Sequence, residues 1–188
     1  MSEFRSGNGA AWLDLLTTLA GRYRAVQTDD LADPARLRAW LHANGLEPTG
    51  AVTDDDLDLV RRTREALHST TLAALDGRRP AAGDVRTLQA VLDHDAPLQA
   101  RSTATGLAVS PPRTAREALA RLVRDAVSTL AGDDLAHLHR CGDETCSSIY
   151  LDRTGRRRWC SDLSCGNRAR VRAHRARTGS SSGKSRRP

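Results

Sequence analysis

Apolar side chains in the first 132 residues recur at the spacing of amphipathic helices. The first stripe consists of Trp12, Leu15, Leu16 and Leu19. Positions i, i+3, i+4 and i+7 share one face of a helix, so a core-facing helix is predicted here. The same periodicity predicts four further helices, which begin near Asp33, Thr53, Asp84 and Thr114 and end near Gly45, Gly77, Leu92 and Gly132. Such stripes are more typical of a buried core than of a cofactor site.

Capping signals mark the starts of several of these helices. Thr53 is followed three residues later by Asp56, and Thr114 by Glu117, which is the spacing of a capping box. Asp84 is the candidate cap of the fourth helix. A side-chain oxygen at each start would satisfy a backbone N–H that has no partner inside the helix.

Residues 98–109 show a different pattern, short and extended around Gly106, which predicts a hairpin. The expected fold is therefore mostly α, with a helical N-terminal domain over residues 1–132 that includes one short hairpin. No His, Asp, Glu or Ser in this domain lies in a motif with a catalytic mechanism, and there is no phosphate loop or nucleophile elbow. We expect that the protein is not an enzyme.

Basic residues are concentrated in the C-terminal part of the chain. The net charge is +6, but residues 140–188 contain 13 of the 29 basic residues and only four acidic ones, a net of +9, which leaves residues 1–139 at −3. This asymmetry indicates a polyanionic partner. All of the basic residues except Lys184 are arginines, which suit bidentate contacts with phosphate and guanine, although a GC-rich genome would also favour arginine.

The chain shows no signal for a membrane or for secretion. No apolar run approaches the roughly 18–20 residues of a membrane helix, and the start, Met-Ser-Glu-Phe-Arg, lacks the apolar core of a signal peptide. The expected location is the cytoplasm, where thiols stay reduced and a cysteine cluster indicates first a metal site and only second disulfides.

All four cysteines fall within 25 consecutive residues, as two pairs with four residues inside each pair and thirteen between the pairs: Cys141, Cys146, Cys160 and Cys165. Zinc favours tetrahedral thiolate coordination, and four protein ligands leave no position for water. The spacing therefore predicts one structural Zn²⁺. His137 and His139 precede the first cysteine but are not needed as ligands, because the four thiolates complete the shell. Metal binding would supply much of the folding free energy of so small a segment.

The elements around the cysteines predict a treble-clef-like zinc finger over residues 137–177, in the order knuckle, β-hairpin, helix. Residues 149–151 and 156–159 are the predicted strands of the hairpin, and Ser161 is the predicted cap of the helix. Trp159 is expected in the miniature core of the finger, with stacking on a base as the alternative. Residues 178–188 are predicted to form a disordered basic tail.

Arginines of the finger are the candidate nucleic-acid contacts. Residues 168, 172 and 175 recur along one helix face, and like charges at i, i+4 destabilise a helix unless an anion lies alongside. A metal-organised scaffold with a basic helix and a basic arm favours DNA as the partner. The alternatives are a module that docks an acidic protein, and an RNA-binding protein. The candidates are Arg156, Arg157, Arg158, Arg168, Arg170, Arg172, Arg175 and Arg177.

The segment 159–168, Trp-Cys-Ser-Asp-Leu-Ser-Cys-Gly-Asn-Arg, resembles the CGNR zinc finger, a bacterial family named for its Cys-Gly-Asn-Arg tetrapeptide. The resemblance includes the upstream cysteine pair and the arginine-rich helix and covers about residues 137–177. Residues 12–19 are similar to the opening helix of the ABATE domain of stress-induced transcription regulators, which usually precedes this finger. That family often has Asn-Thr where this chain has Thr17-Thr18, so a role for the asparagine does not carry over.

The resemblance implies a zinc-dependent bacterial DNA-binding transcription regulator, whose N-terminal domain senses a small-molecule effector or mediates contacts. Gly166 and Asn167 match the tetrapeptide directly. The glycine would allow a close backbone approach. The asparagine could bond the backbone of the zinc site or an adenine edge, and the structural role is favoured.

Overall fold

A computed structural model of the chain describes residues 4–181, with side chains for residues 4–177, and confirms a mostly α fold. Within these residues no helix is long and apolar enough to span a membrane. The helices are α1 (Ala11–Thr17), α2 (Pro34–Ala43), α3 (Asp54–Leu75), α4 (Ala82–Leu92), α5 (Ala115–Ala131) and α6 (Asn167–Ser181). The strands form antiparallel pairs, β1 (Leu19–Ala20) with β2 (Thr28–Asp29), β3 (Ala100–Thr103) with β4 (Gly106–Val109), and β5 (Leu138–Arg140) with β6 (Ile149–Leu151).

The capping signals mark the starts of both α3 and α5, but only α3 forms the complete capping box. At α3, Thr53 and Asp56 exchange both bonds of a capping box. At α5, the Thr114 hydroxyl accepts from Glu117 N at 3.1 Å, but the Glu117 carboxylate accepts from Arg113 N rather than from Thr114.

The predicted start of α4 is wrong. Ala81 is the N-cap, with an extended backbone and no side-chain cap, and Asp84 lies inside the first turn. A carboxylate in the first turn is favoured there by the positive end of the helix dipole, so the acidic residue is a signal for the start of a helix without being its cap.

The β3–β4 hairpin forms where the sequence predicts it, with Thr103 opposite Gly106. The β1–β2 pair was not predicted, because two residues a side are too few for an alternating pattern. Arg64 of α3 anchors this pair and is only 3% exposed. It donates to both carboxylate oxygens of Asp29, at 2.8 and 2.7 Å, and to the Thr18 hydroxyl at 2.8 Å. Burial opposes ionisation of Asp29, but the hydrogen bond and the charge of Arg64, together with smaller contributions from Leu31 N and Arg61, lower the pKa of the carboxyl.

The hydrophobic core is built around α1, which packs against α3, α5 and β6. Trp12, Leu13 and Leu15 are fully buried. The same core includes Leu138 of β5 and Ile149 of β6, which belong to the C-terminal cysteine-containing segment. The two parts predicted as separate domains therefore share one core.

The N-terminal segment also connects the two parts. The buried carboxylate of Asp14 accepts from the backbone and side-chain nitrogens of Asn8 at 3.0 and 2.7 Å. This fixes residues 7–9 alongside β6, where Leu151 N donates to Asn8 O at 2.8 Å. A Cβ at Gly9, which has φ +97°, would lie 2.8 Å from Cβ of Leu151, so this approach requires glycine.

Candidate metal centre and basic surface

The four cysteines come together as their spacing predicts. Their Sγ atoms all lie within 4.8 Å of one another, and Cys160 Sγ lies 3.7 Å from Cys146 Sγ and 3.4 Å from Cys165 Sγ. A tetrahedral zinc with Zn–S bonds of about 2.3 Å needs sulfur atoms about 3.8 Å apart. Cys141 and Cys165 are buried and the other two are half-buried. Among the described residues neither His137 nor His139 joins this group, and the donor set fits one structural zinc ion.

The hairpin of the finger differs from the prediction. β6 pairs with β5, and the first cysteine knuckle is the loop between them, so Cys141 N donates to Ser148 O at 3.0 Å. The predicted returning strand at residues 156–159 is wrong. The Asp152 carboxylate accepts from Thr154 N at 2.9 Å and Arg157 N at 2.8 Å, which holds this segment in a turn.

The second knuckle is joined to the first through the backbone. Gly142 N donates to Arg158 O at 2.9 Å, and a Cβ at Gly142 would lie 2.9 Å from the same oxygen. Ser161 caps the following turn, as predicted, by accepting from Ser164 N. That turn is a single π-helical turn (Asp162–Gly166) that precedes α6.

Gly166 of the tetrapeptide lies against Trp159. A Cβ at Gly166 would approach Trp159 Cε3 to 3.2 Å and Asp162 Oδ1 to 2.6 Å. Trp159 is half-buried, with the guanidinium groups of Arg158 and Arg170 5.4 and 5.8 Å from its ring. The close approach expected for the glycine is thus an approach to the indole.

An arginine–carboxylate network lies directly behind the sulfur cluster. Arg168 donates through Nη2 to Cys165 Sγ and through Nε to Asp143 Oδ2, both at 2.9 Å. Arg172 Nη2 donates to Asp143 Oδ1 at 2.7 Å. Asp143 has no exposed side-chain surface. Burial opposes its ionisation, but hydrogen bonds from Arg172 and Arg168 hold the pKa of this carboxyl well below its usual range.

The thiols influence each other's ionisation. Hydrogen bonds with Cys141 and Cys160 lower the pKa of Cys146, whereas the hydrogen bond with Cys146 raises the pKa of Cys141 to about 11. One thiolate therefore forms easily and opposes the next. A bound divalent cation would supply the positive charge that four adjacent thiolates need.

Four of the eight candidate arginines donate hydrogen bonds to other groups of the protein. Arg157 donates to Cys160 O at 2.6 Å and to Gly7 O at 3.1 Å, and its guanidinium lies 4.6 Å from the Tyr150 ring. Arg170 pairs with Asp162 at 3.2 Å. Arg168 and Arg172 both pair with Asp143. The carboxylates of Asp143 and Asp162 therefore neutralise part of the positive charge that the sequence pattern assigned to an external anion.

The other four candidates are exposed: Arg156, Arg158, Arg175 and Arg177. Arg156 and Arg177 have no side-chain hydrogen bond or ion pair with another residue of the described part. Every residue from 170 to 177 is exposed, and α6 contains no acidic residue. The side chain of Asn167 is exposed as well and makes no hydrogen bond within the described residues, so its predicted structural role has no contact to support it.

The sequence predicts a disordered tail over residues 178–188. The helix α6 continues to Ser181, so residues 178–181 have a helical backbone, and residues 182–188 of that prediction lie outside the described residues.

Contacts of the finger with the α3 region and with the loop between β1 and β2 were missed by sequence reasoning. Arg140 Nη2 donates to Asp76 Oδ1 at 2.6 Å and to Leu72 O at 3.4 Å. Arg24, after α1, donates to the Thr145 hydroxyl at 3.2 Å. His68 of α3 is buried and faces Ser147. These pairs join residues more than 60 positions apart, and no local pattern marks them.

Two family models match adjacent parts of the chain. Residues 9–133 match ABATE, described as "Putative stress-induced transcription regulator", and residues 137–178 match the CGNR zinc finger. No curated protein matches the chain significantly.

Proposed function

We propose that this chain, which belongs to the ABATE family and carries a C-terminal CGNR zinc finger, is a bacterial DNA-binding transcription regulator of the cytoplasm. The observation that carries this proposal is the exposed face of α6. Five arginines and no acid lie on this helix, and residues 170–177 are all exposed. An exposed helix with several arginines and no acidic residue gains stability from a partner of opposite charge.

The arginines divide into two roles. Arg157 and Arg168 hold the finger together, through Cys160 O and through Cys165 Sγ respectively. The proposed DNA contacts are the exposed members, with Arg170 and Arg172 able to contribute because about half of each side chain remains accessible. The exposed members are Arg156, Arg158, Arg175 and Arg177.

Phosphates are the expected targets of these side chains. Arginines that bind phosphates fix the position of a protein on the duplex without reading sequence. Each neutralised phosphate releases a counterion, so log affinity falls linearly with log salt, by about 0.9 per phosphate.

The zinc ion has a structural role in this proposal, and we propose no catalytic step. When bound, it would hold the two knuckles together, so that residues 156–158 and α6 lie on one scaffold. The helical part is proposed to sense an effector or to mediate contacts with other proteins.

The test compares binding of the full zinc-loaded chain to a fluorescent DNA duplex by anisotropy at several salt concentrations. Arg156→Gln/Arg177→Gln should weaken binding and reduce the magnitude of the salt slope by about 2. The control is Arg101→Gln, which replaces an exposed arginine on the β3–β4 hairpin. This variant should leave the DNA affinity and the salt slope unchanged. A double variant that binds like the control would contradict the proposal.

The two alternative partners give different results in the same assay. An RNA-binding protein would prefer a single-stranded RNA of equal length and charge. A module for an acidic protein would bind the duplex no better than it binds polyglutamate, whereas the DNA proposal predicts a clear preference for the duplex.

A further inference from the structure

Helices α3, α4 and α5 enclose an apolar groove of about 380 Å³. Its walls consist mainly of aliphatic side chains, among them Ala74, Leu88, Leu92, Val127 and Leu130. Small-molecule sites in proteins span roughly 300–1,000 Å³ and are lined mostly by apolar side chains with a few polar groups. The groove therefore has the size and lining of a site for one small organic molecule.

A buried hydroxyl of the lining has no partner. Thr70 is only 8% exposed, and its Oγ1 makes no hydrogen bond with any described residue. Other threonines of the same helix bond the carbonyl four residues back, as Thr63 does with Leu59 O and Thr71 with Leu67 O. Leaving a buried hydroxyl unpaired costs free energy, so a rotation of the Thr70 side chain that brings Oγ1 to the groove and to a polar atom of a ligand would be favoured.

A positive charge lies at the rim of the groove. Arg78 donates from Nη2 to Asp76 Oδ2 at 2.8 Å, and its Nε and Nη1 have no hydrogen-bond partner among the described residues. No acidic residue lines the groove. A guanidinium with free donors suits a carboxylate, which can accept two parallel bonds.

We propose that this groove binds a small amphipathic carboxylic acid, with its apolar body between the helices and its carboxylate on Arg78. The positive charge of Arg78 and the lack of acidic lining residues favour an anionic ligand over an apolar helix from a second copy of the chain. This inference rests on the effector role proposed for the helical part, and it names the class of effector and the site.

The same arginine is connected to the zinc finger. Asp76 accepts from Arg78 through Oδ2 and from Arg140 of β5 through Oδ1. Two parallel bonds from a guanidinium use Nη2 together with either Nε or Nη1, so a carboxylate bound in this way competes with Asp76 for Arg78 and changes the contact that holds Arg140. Ligand binding in the groove is thereby coupled to the position of the finger.

Octanoate is the probe, and octan-1-ol, with the same chain and no charge, is the comparator. Binding to the zinc-loaded full chain is measured by calorimetry in the absence of DNA, so the result is independent of whether the protein binds DNA. We expect saturable binding of octanoate and about tenfold or more weaker binding of octan-1-ol.

Two variants locate the site. Arg78→Gln changes an exposed side chain. It should weaken the binding of octanoate about tenfold or more and leave the binding of octan-1-ol unchanged. Ala74→Phe should prevent the binding of both compounds. Arg79→Gln, a neighbouring arginine outside the groove, is the matched control. The proposal is overturned if the chain does not bind octanoate, if Arg78→Gln behaves like Arg79→Gln, or if Ala74→Phe abolishes self-association instead of octanoate binding.

The coupling has its own readout. Octanoate should change the affinity for a DNA duplex in the unmodified chain but not in Arg140→Gln, which should still bind octanoate. An equal change in both proteins would overturn the coupling through Asp76.

Discussion

Arg168 donates a hydrogen bond from Nη2 to Sγ of Cys165 at 2.9 Å. The last residue of the Cys-Gly-Asn-Arg tetrapeptide is therefore bonded to the first. The same guanidinium reaches the buried carboxylate of Asp143. A side chain that donates to a metal-binding sulfur orients it and stabilises its negative charge. The arginine of the motif therefore belongs to the zinc site and is not simply one of a row of proposed DNA contacts.

Replacing Arg168 should weaken the zinc site. Loss of such a supporting contact typically costs about 10–100-fold in metal affinity, and Arg168→Gln also leaves Asp143 with one guanidinium partner fewer. The measurement is competition for zinc with a chromophoric chelator. Arg177→Gln, at an exposed position of the same helix, should keep the original affinity. Equal zinc affinity in the two variants would contradict the assignment.

The close approach of the N-terminal segment to the finger gives a second prediction. Gly7 and Gly9 both have positive φ, of +94° and +97°, but a Cβ at Gly7 would meet nothing within 4 Å, whereas a Cβ at Gly9 would collide with Leu151. Gly7→Ala should cost about 1 kcal/mol of unfolding free energy for its backbone conformation, and Gly9→Ala about 3 kcal/mol, because steric overlap adds to that cost.

Urea unfolding of the zinc-loaded proteins measures both glycine variants. Since the helical part and the finger share a core, each variant should unfold in one transition. A separate early transition of the finger in the unmodified chain would show that the shared core does not couple the two parts.

The third prediction concerns pH. Burial, with the nearby charge of Arg22, lowers the pKa of His68 from 6.5 to about 4. The unfolded chain therefore binds a proton more readily than the folded one between these values. The contribution of neutral, buried His68 to the free energy of unfolding is complete above about pH 6.5 and is lost as the pH falls towards 4. The loss is at most about 3 kcal/mol.

The pH prediction is tested by the difference in unfolding free energy between pH 7 and pH 5. His68→Gln should reduce this difference, whereas His94→Gln, at an exposed position, should not. Loss of zinc through thiol protonation affects all three proteins, so the comparison between variants isolates His68. An undiminished pH dependence in His68→Gln would refute the assignment.

Local signals predicted the parts of the fold that depend on local chemistry. The Thr53–Asp56 capping box, the hairpin around Gly106 and the four-cysteine spacing each specify contacts between residues close in sequence. The strand at residues 149–151 was predicted as well, but its partner was not. A strand of three residues carries no register signal, and the choice of β5 is made by the core around Ile149 and by the turn at Asp152.

The roles of the finger's arginines could not be predicted from spacing. Periodicity places Arg168 and Arg172 on one face of α6 and indicates that an anion should lie beside them. That anion is Asp143 of the first knuckle. Internal carboxylates and external phosphates satisfy the same pattern, and only the fold shows which arginines are already paired.

The most direct test of a zinc-organised DNA-binding surface is the affinity of the full chain for a DNA duplex before zinc removal, after chelation, and after zinc is restored, with metal content measured at each step. We expect about one zinc per chain, loss of duplex binding on chelation, and recovery when zinc returns. Unchanged duplex affinity in protein shown to contain no zinc would contradict the proposal.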